Sequence, residues 1–429
     1  MPKKKLPMAW FPPGSYKVLV LYVFVFFFGK GSQFAIPIIL GNVLNPDQYG
    51  AVELSMSVGL IIISVGSMGS SAFISRSIIK EERWINLDAV KLFLVGLSAV
   101  FIVSSLLMHC MNSSVVTKLA LAFSSVLLLQ GAMSAEFKSR AKRKSAIIID
   151  IALWTTILIW AFLYVIWGRG EAYTSLLWLV FFHYLILLIL FCKSIESLKL
   201  PSLLSVGRFF SEGSRIVSMG FVSVLVATSG RLVVGDNLGL SATGEYASLY
   251  RLSIIPMIAH HLIMGYFYRM SFSESRENFV YLGTISFVII SILSLVTWLL
   301  AYFFAPHIGL LFESSLRAHP MAFCALMISV PFLSAISINE IAYYKNVKSL
   351  NPLLCSFSYV LLAYLMISYS MVVTNLDSIG VSIALMIIGY YLVNSLSLAK
   401  IGVTIAKLPI LCSICMVIIL LSYLLKTAL

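Results

Sequence analysis

Runs of about twenty apolar residues, each bounded by charged or turn-forming residues, recur from one end of this chain to the other. No other feature restricts its fold as much. A helix needs about 20 apolar residues to cross the hydrocarbon core of a bilayer. Because hydrocarbon offers backbone groups no water, each such segment must close its own hydrogen bonds as a helix. The runs are Val18 to Leu40, Tyr49 to Ser75, Leu87 to Cys110, Val115 to Phe137, Ala146 to Trp167 and Tyr173 to Cys192. They continue as Ile216 to Leu238, Glu245 to Tyr268, Phe279 to Ala305, Pro320 to Tyr344, Pro352 to Thr374 and Ile379 to Leu398, and a thirteenth, Leu408 to Leu425, follows them. Only 11% of the 429 residues are charged and mean hydropathy is +1.00. Soluble domains carry about 25% charged residues, so a soluble globular protein is excluded. The pattern predicts an all-α polytopic membrane protein.

The formal net charge of +13 is grouped by loop. Alternate loops hold Lys3 to Lys5, then Arg76, Lys80 and Arg83, then Lys138 to Lys144, and so on to Lys400 and Lys407, which together make 21 of the 30 basic residues. The opposite loops hold Lys118, Arg169 and Arg317, with Lys426 in the tail. The positive-inside rule places the N-terminus and the basic loops in the cytoplasm. This grouping describes topology, so no nucleic-acid partner is expected. Six cysteines lie in or beside apolar runs, where a small hydrophobic role suffices. Cys412 and Cys415 form a CxxC inside one apolar helix without a second ligand pair, and no metal site is expected.

Two segments read alike when laid 194 residues apart. Leu44 to Ser55 and Leu238 to Leu249 share a short polar turn, a glycine (Gly50, Gly244) opening the next helix, and hydroxyl-bearing positions after it. Six helices separate the copies, an even number. The halves then share one orientation and pair about an axis along the membrane normal. The expected architecture is two six-helix lobes, residues 1–200 and 201–399, related by a pseudo-two-fold along that normal, with residues 400–429 as an additional helix.

Among the charges inside the predicted spans are Lys30, Glu53, Arg231 and Arg251, and each costs about 2.5–3.5 kcal/mol at the bilayer centre unless it meets a cavity or a partner. At about 1.5 Å per residue, Lys30 lies about 18 Å and Arg231 about 22 Å from the cytoplasmic ends of their helices. Glu53 lies about 6 Å and Arg251 about 9 Å from the opposite ends. Lys30, Gln33 and Pro37 share one face of the first helix. Glu53, Ser57, Ser64, Ser67 and Ser71 form a polar stripe on the second. If the first two helices of each half face one another, Lys30, Gln33, Glu53, Ser57, Arg231 and Arg251 line a cationic, hydroxyl-rich cleft. Such a cleft suits a diphosphate bearing sugars. Glu53, Glu340, His183 and His261 are the candidates for ion coupling.

The opening helix with Lys30-Gly31-Ser32-Gln33-Phe34 and Pro37-Ile38-Ile39-Leu40, the turn Leu44 to Gly50, the segment Gly66-Ser67-Met68-Gly69 followed by Arg76, and Leu238 to Tyr250 carry a resemblance. The chain resembles the Wzx-type polysaccharide flippases of the multidrug/oligosaccharidyl-lipid/polysaccharide exporter superfamily. It departs from them where Gly230, in place of an acidic residue, precedes Arg231, and in its thirteenth helix. The resemblance implies an alternating-access flippase of a bacterial cytoplasmic membrane. Its cargo would be undecaprenyl-diphosphate-linked oligosaccharide, carried from the cytoplasmic to the periplasmic leaflet toward O-antigen or a similar surface polysaccharide. No catalytic residue and no cofactor is implied. A proton or sodium gradient, or the membrane potential, would drive the step, and a polysaccharide polymerase and a chain-length regulator would be partners. Three alternatives stay open on the residues, one of them a binding or scaffold role without transport. A drug/cation antiporter of the same superfamily would need an acidic cleft, and a membrane polymerase or ligase would need a large periplasmic loop.

Overall fold

The computed structural model describes residues 26, 29, 31, 33–79, 86–167, 172–195, 203–266, 276–345, 351–369, 375–400 and 406–428. The described residues are all helix and short turns. In chain order the first seven helices are α1 (Gln33–Val43), α2 (Pro46–Gly66), α3 (Ser70–Ile79), α4 (Leu87–Cys110), α5 (Val115–Ser139), α6 (Arg143–Trp167) and α7 (Ala172–Cys192). The next five are α8 (Leu203–Asn237), α9 (Gly239–Ser253), α10 (Met257–Tyr266), α11 (Arg276–Ile308) and α12 (Leu310–Ala318). The last four are α13 (Pro320–Lys345), α14 (Asn351–Tyr369), α15 (Leu376–Lys400) and α16 (Lys407–Ala428). Nine of the described helices are long and apolar enough to cross a membrane, and α1 and the Leu354–Tyr369 part of α14 are shorter apolar helices. The chain is a multi-pass membrane protein.

Helix starts follow from local chemistry. Asn45 caps α2 by accepting from the Gln48 amide at 2.8 Å, while the Gln48 side chain reaches back to the Asn45 amide and Pro46 supplies a first residue that needs no N–H partner. Asn86 caps α4 through the Ala89 amide in the same way.

Burial separates inner helices from lipid-facing ones. α5 packs against α2, α3, α4, α6 and α7, and α13 packs against α15, α11 and α9. α5 and α13 are mostly enclosed, whereas only 17% of α16 is buried. The exposed rows of α11 and α16 are leucine, isoleucine, valine and phenylalanine, the side chains that hydrocarbon solvates well.

Three expectations change. The predicted second helix is two, α2 and α3, because Met68 and Gly69 adopt left-handed backbone (φ 46 and 66) and end the first. The predicted eighth helix is also two, α9 and α10, parted at residues 254–256, where Pro256 has no N–H to continue the ladder. The predicted seventh helix is longer: α8 has 35 residues, and like α9 it is not uniformly apolar. Both carry Ser, Thr and Arg on faces turned to protein, since α8 contacts α2, α9, α14 and α15, and α9 contacts α2, α12 and α13.

Candidate functional site

The repeat seen in the sequence becomes a physical contact. α2 and α9 cross so closely at their N-terminal ends that a Cβ on Gly50 would overlap the Leu240 carbonyl and lie 2.9 Å from the Gly244 nitrogen. A Cβ on Gly244 would overlap the Pro46 carbonyl and lie 3.4 Å from the Gly50 nitrogen. The two contacts are reciprocal: Gly50 meets the residue that corresponds to Pro46, and Gly244 meets Pro46 itself. Only glycine allows backbones this near. A second contact joins the halves at the same end, where the Asn42 amide donates to the Ile308 carbonyl at 2.9 Å against Gly309. This is the end opposite the basic loops, and at it the two halves of the chain are in direct contact.

One turn below the glycines sits Glu53, 2% exposed. It accepts from Arg231 Nη1 at 2.7 Å and, in a two-pronged contact, from Arg251 Nε and Nη2, both at 2.9 Å. These bonds tie α2 to α8 and α9 across separations of 178 and 198 residues. Each guanidinium also lies over an aromatic face, Arg231 at 4.9 Å from the Tyr250 centroid and Arg251 at 5.1 Å from that of Trp154. One carboxylate against two permanent cations leaves an excess positive charge in a buried place.

Gly230 explains itself in this setting. A Cβ there would run into the Tyr246 ring, which is 1% exposed and lies 6.4 Å from the ring of Tyr250. The tyrosine that supports the Arg231 platform occupies the volume an acidic side chain would need.

The structure therefore brings Glu53, Arg231 and Arg251 together. Lys30 lies outside the described residues. Gln33 is part-buried, and its amide donates to the Asp150 carbonyl, which also accepts from Gln130 at 2.8 Å. Ser57 is fully buried with its hydroxyl bonded to the Glu53 carbonyl at 2.8 Å, and Ser64 bonds its own helix at Ile61, so neither stretch of the polar stripe offers a free proton. Glu340 belongs to another place, on α13, with Oε1 buried and without a hydrogen-bond partner among the described residues. His183 pairs with Thr156 at 3.0 Å, and His261 is exposed beside His260. Among the described residues no three metal-ligating side chains cluster, and all six cysteines are free.

Trp154, Tyr246, Tyr250 and Gln130 were not singled out by sequence reasoning. Trp154 carried a signal, since it follows Asp150 by four residues on a helix whose other face is lipid-exposed. The tyrosines look like ordinary apolar positions until the arginines are seen above them.

Residues 17–271, more than half of the chain, match the family described as "Polysaccharide biosynthesis protein". No curated protein sequence is similar enough to count as a match. Among solved structures, one named "protein A" is 14% identical with a TM-score of 0.61, covering 92% of this chain and 97% of the other. The MATE multidrug transporter DinF-BH, solved in a complex, is 13% identical at 0.57, covering 92% and 97%. A MOP superfamily transporter from Pyrococcus furiosus is 14% identical at 0.53, covering 96% of each chain. At such identities the structures speak for the fold alone, and the family match speaks for the chain: a helical membrane protein with the fold of the MOP-superfamily transporters, it belongs to the polysaccharide biosynthesis protein family.

Proposed function

We propose that this protein is a flippase carrying a diphosphate-linked oligosaccharide on a polyprenyl lipid from the cytoplasmic to the outer leaflet of a bacterial cytoplasmic membrane. The observation that carries the reading is the buried Glu53–Arg231–Arg251 cluster, cationic by one charge and placed where it bridges α2 to α8 and α9. A diphosphate offers both guanidiniums stronger paired acceptors than one carboxylate does. Substrate entering from the cytoplasmic side then draws Arg231 and Arg251 away from Glu53. α2 loses its tie to α8 and α9, and the glycine contact above can part. Binding is in this way a condition of opening.

The moving bodies in this reading are residues 1–200 and 201–399, with the N-terminus in the cytoplasm. In this reading Lys30 and Gln33 are further substrate-binding residues. Outward passage of an anion is favoured by a membrane potential negative inside, by about 2.3 kcal/mol per charge per 100 mV. A proton or sodium gradient would act through Glu340, whose buried unpartnered oxygen supports a role in ion exchange. A drug/cation antiporter is the second use of such a fold, and the excess positive charge argues against a cationic cargo.

The test is to delete the gene in its host and measure, with an impermeant sugar-modifying reagent on spheroplasts, which leaflet holds lipid-linked oligosaccharide. Accumulation in the inner leaflet, rescued by the native protein but not by an Arg231→Ala/Arg251→Ala variant present in the membrane at equal level, supports the flippase. Single units accumulating in the outer leaflet would assign the protein to polymerisation, and no accumulation would favour the antiporter.

A further inference from the structure

Away from the arginine cluster, a cavity of about 480 Å³ lies between α11, α13 and α16. Its walls include Phe287, Ser294, Trp298, Met327, Phe332 and Met416. The depth is that of the bilayer interior. On the apolar stretch Gly283–Ile308, Phe287 to Trp298 lie about 6 to 22 Å from the inner end at 1.5 Å per residue. The mouth faces hydrocarbon, because Leu295 on its rim and its neighbours Ile292 and Leu299 are exposed apolar residues, as are Leu411, Ile414 and Ile418 of α16. Whatever enters does so from the membrane.

The cavity is not uniformly apolar. The indole nitrogen of Trp298 and the hydroxyl of Ser294 are buried without a hydrogen-bond partner among the described residues. Many helical serines here bond back to their own turn, as Ser291 does to Phe287 at 2.8 Å and Ser315 to Leu311 at 2.7 Å, whereas Ser294, like Ser134, Ser356 and Ser368, does not, and it alone of these four lines the cavity, together with the unpartnered indole of Trp298. Ser294 and Trp298 are one turn apart on α11 and so present two donors along one line. A saturated acyl chain leaves both unsatisfied. A chain with regularly spaced double bonds gives each a π face, a weak but real acceptor, while its methyl branches fill a wall of Phe, Met and Trp. We propose that this cavity binds a segment of an unsaturated isoprenoid chain. It rests on the flippase reading to the extent that such a chain is the cargo's anchor, and it assigns the thirteenth helix, α16, the task of closing the site.

The experiment uses the purified full-length protein in nanodiscs of saturated phospholipid and a polyprenyl monophosphate with a photoreactive group in its chain, followed by peptide mapping. Labelling is expected on α11, α13 or α16, competed by unlabelled polyprenyl phosphate and not by added phospholipid. Cys412→Trp, which fills the cavity, should lower it at least tenfold. A Ser294→Ala/Trp298→Phe variant keeps shape and removes both donors, and should lower it several-fold if Cys412→Trp fails to fold. Labelling elsewhere, equal competition by a photoreactive or plain phospholipid, or full labelling of the donor-free variant would overturn the proposal. The probe carries no sugar, so the two readings fail separately. A labelled cavity in a protein whose deletion leaves no lipid-linked sugar stranded would keep the chain site and remove the flippase.

Discussion

At the scale of single residues, the decisive fact is that one buried carboxylate serves two arginines. Glu53→Gln leaves Arg231 and Arg251 buried with only a neutral partner, and removing one member of a buried ion pair costs about 3 to 5 kcal/mol. The expected outcome is a large loss of thermal stability in detergent together with loss of transport. Glu53→Asp, which keeps the charge, should restore most of the stability. Gly50→Ala places a methyl group on the Leu240 carbonyl, a backbone atom that cannot step aside. The α2–α9 contact should loosen. A cysteine at Leu44, 6% exposed in the native protein, should then react with an impermeant maleimide at least tenfold faster. The sequence exposed the charges and the repeat that make these predictions, since a charge in an apolar run is visible one residue at a time. It did not expose the use of Ser57, because a hydroxyl bonded to its own helix reads the same in sequence as one turned to a ligand.

At the scale of elements, helices end where a backbone or side chain forces them to. Met68 is a non-glycine residue in left-handed backbone, which costs about 1–2 kcal/mol. Met68→Gly should therefore stabilise the α2–α3 break by about 0.5 to 1 kcal/mol net of the added freedom of the unfolded chain, read as a higher melting temperature. α8 is the lever of the structure. Its inner end is held by Phe209, whose ring lies 4.9 Å from Phe73 and 5.7 Å from Phe93, and its outer part carries Arg231 to Glu53. Phe209→Ala removes that anchor at about 2 kcal/mol, less than a fully buried Phe because it is only partly buried. Transport should slow while substrate affinity, measured with a polyprenyl diphosphate sugar in detergent, changes less than threefold. The reach of α8 was missed in the sequence because the segment Leu203 to Arg215 mixes Ser, Gly, Glu and Arg with its apolar residues and reads as loop.

At the scale of the whole molecule, the excess positive charge and the direction of the membrane field make one joint prediction. In proteoliposomes oriented by their basic loops, an imposed potential negative on the basic side should accelerate outward movement of lipid-linked diphosphate, and reversing the potential should slow it. An insensitive rate would mean that the head group crosses with its charge fully neutralised. The sequence alone determined that the chain is a bundle of membrane helices, where most of them begin and end, and that two of its turns repeat. Those properties are local: twenty neighbouring residues settle whether hydrocarbon accepts them, and a cap or a glycine acts within one turn. Only the tertiary structure decided that Glu53 meets both arginines rather than facing an open cleft, that Gly50 and Gly244 touch, and that α11, α13 and α16 enclose a cavity. Those depend on how helices distant in the chain are rotated about their axes, and in a bilayer that rotation is fixed by close packing and by the pairing of a few buried polar groups, neither of which hydropathy records.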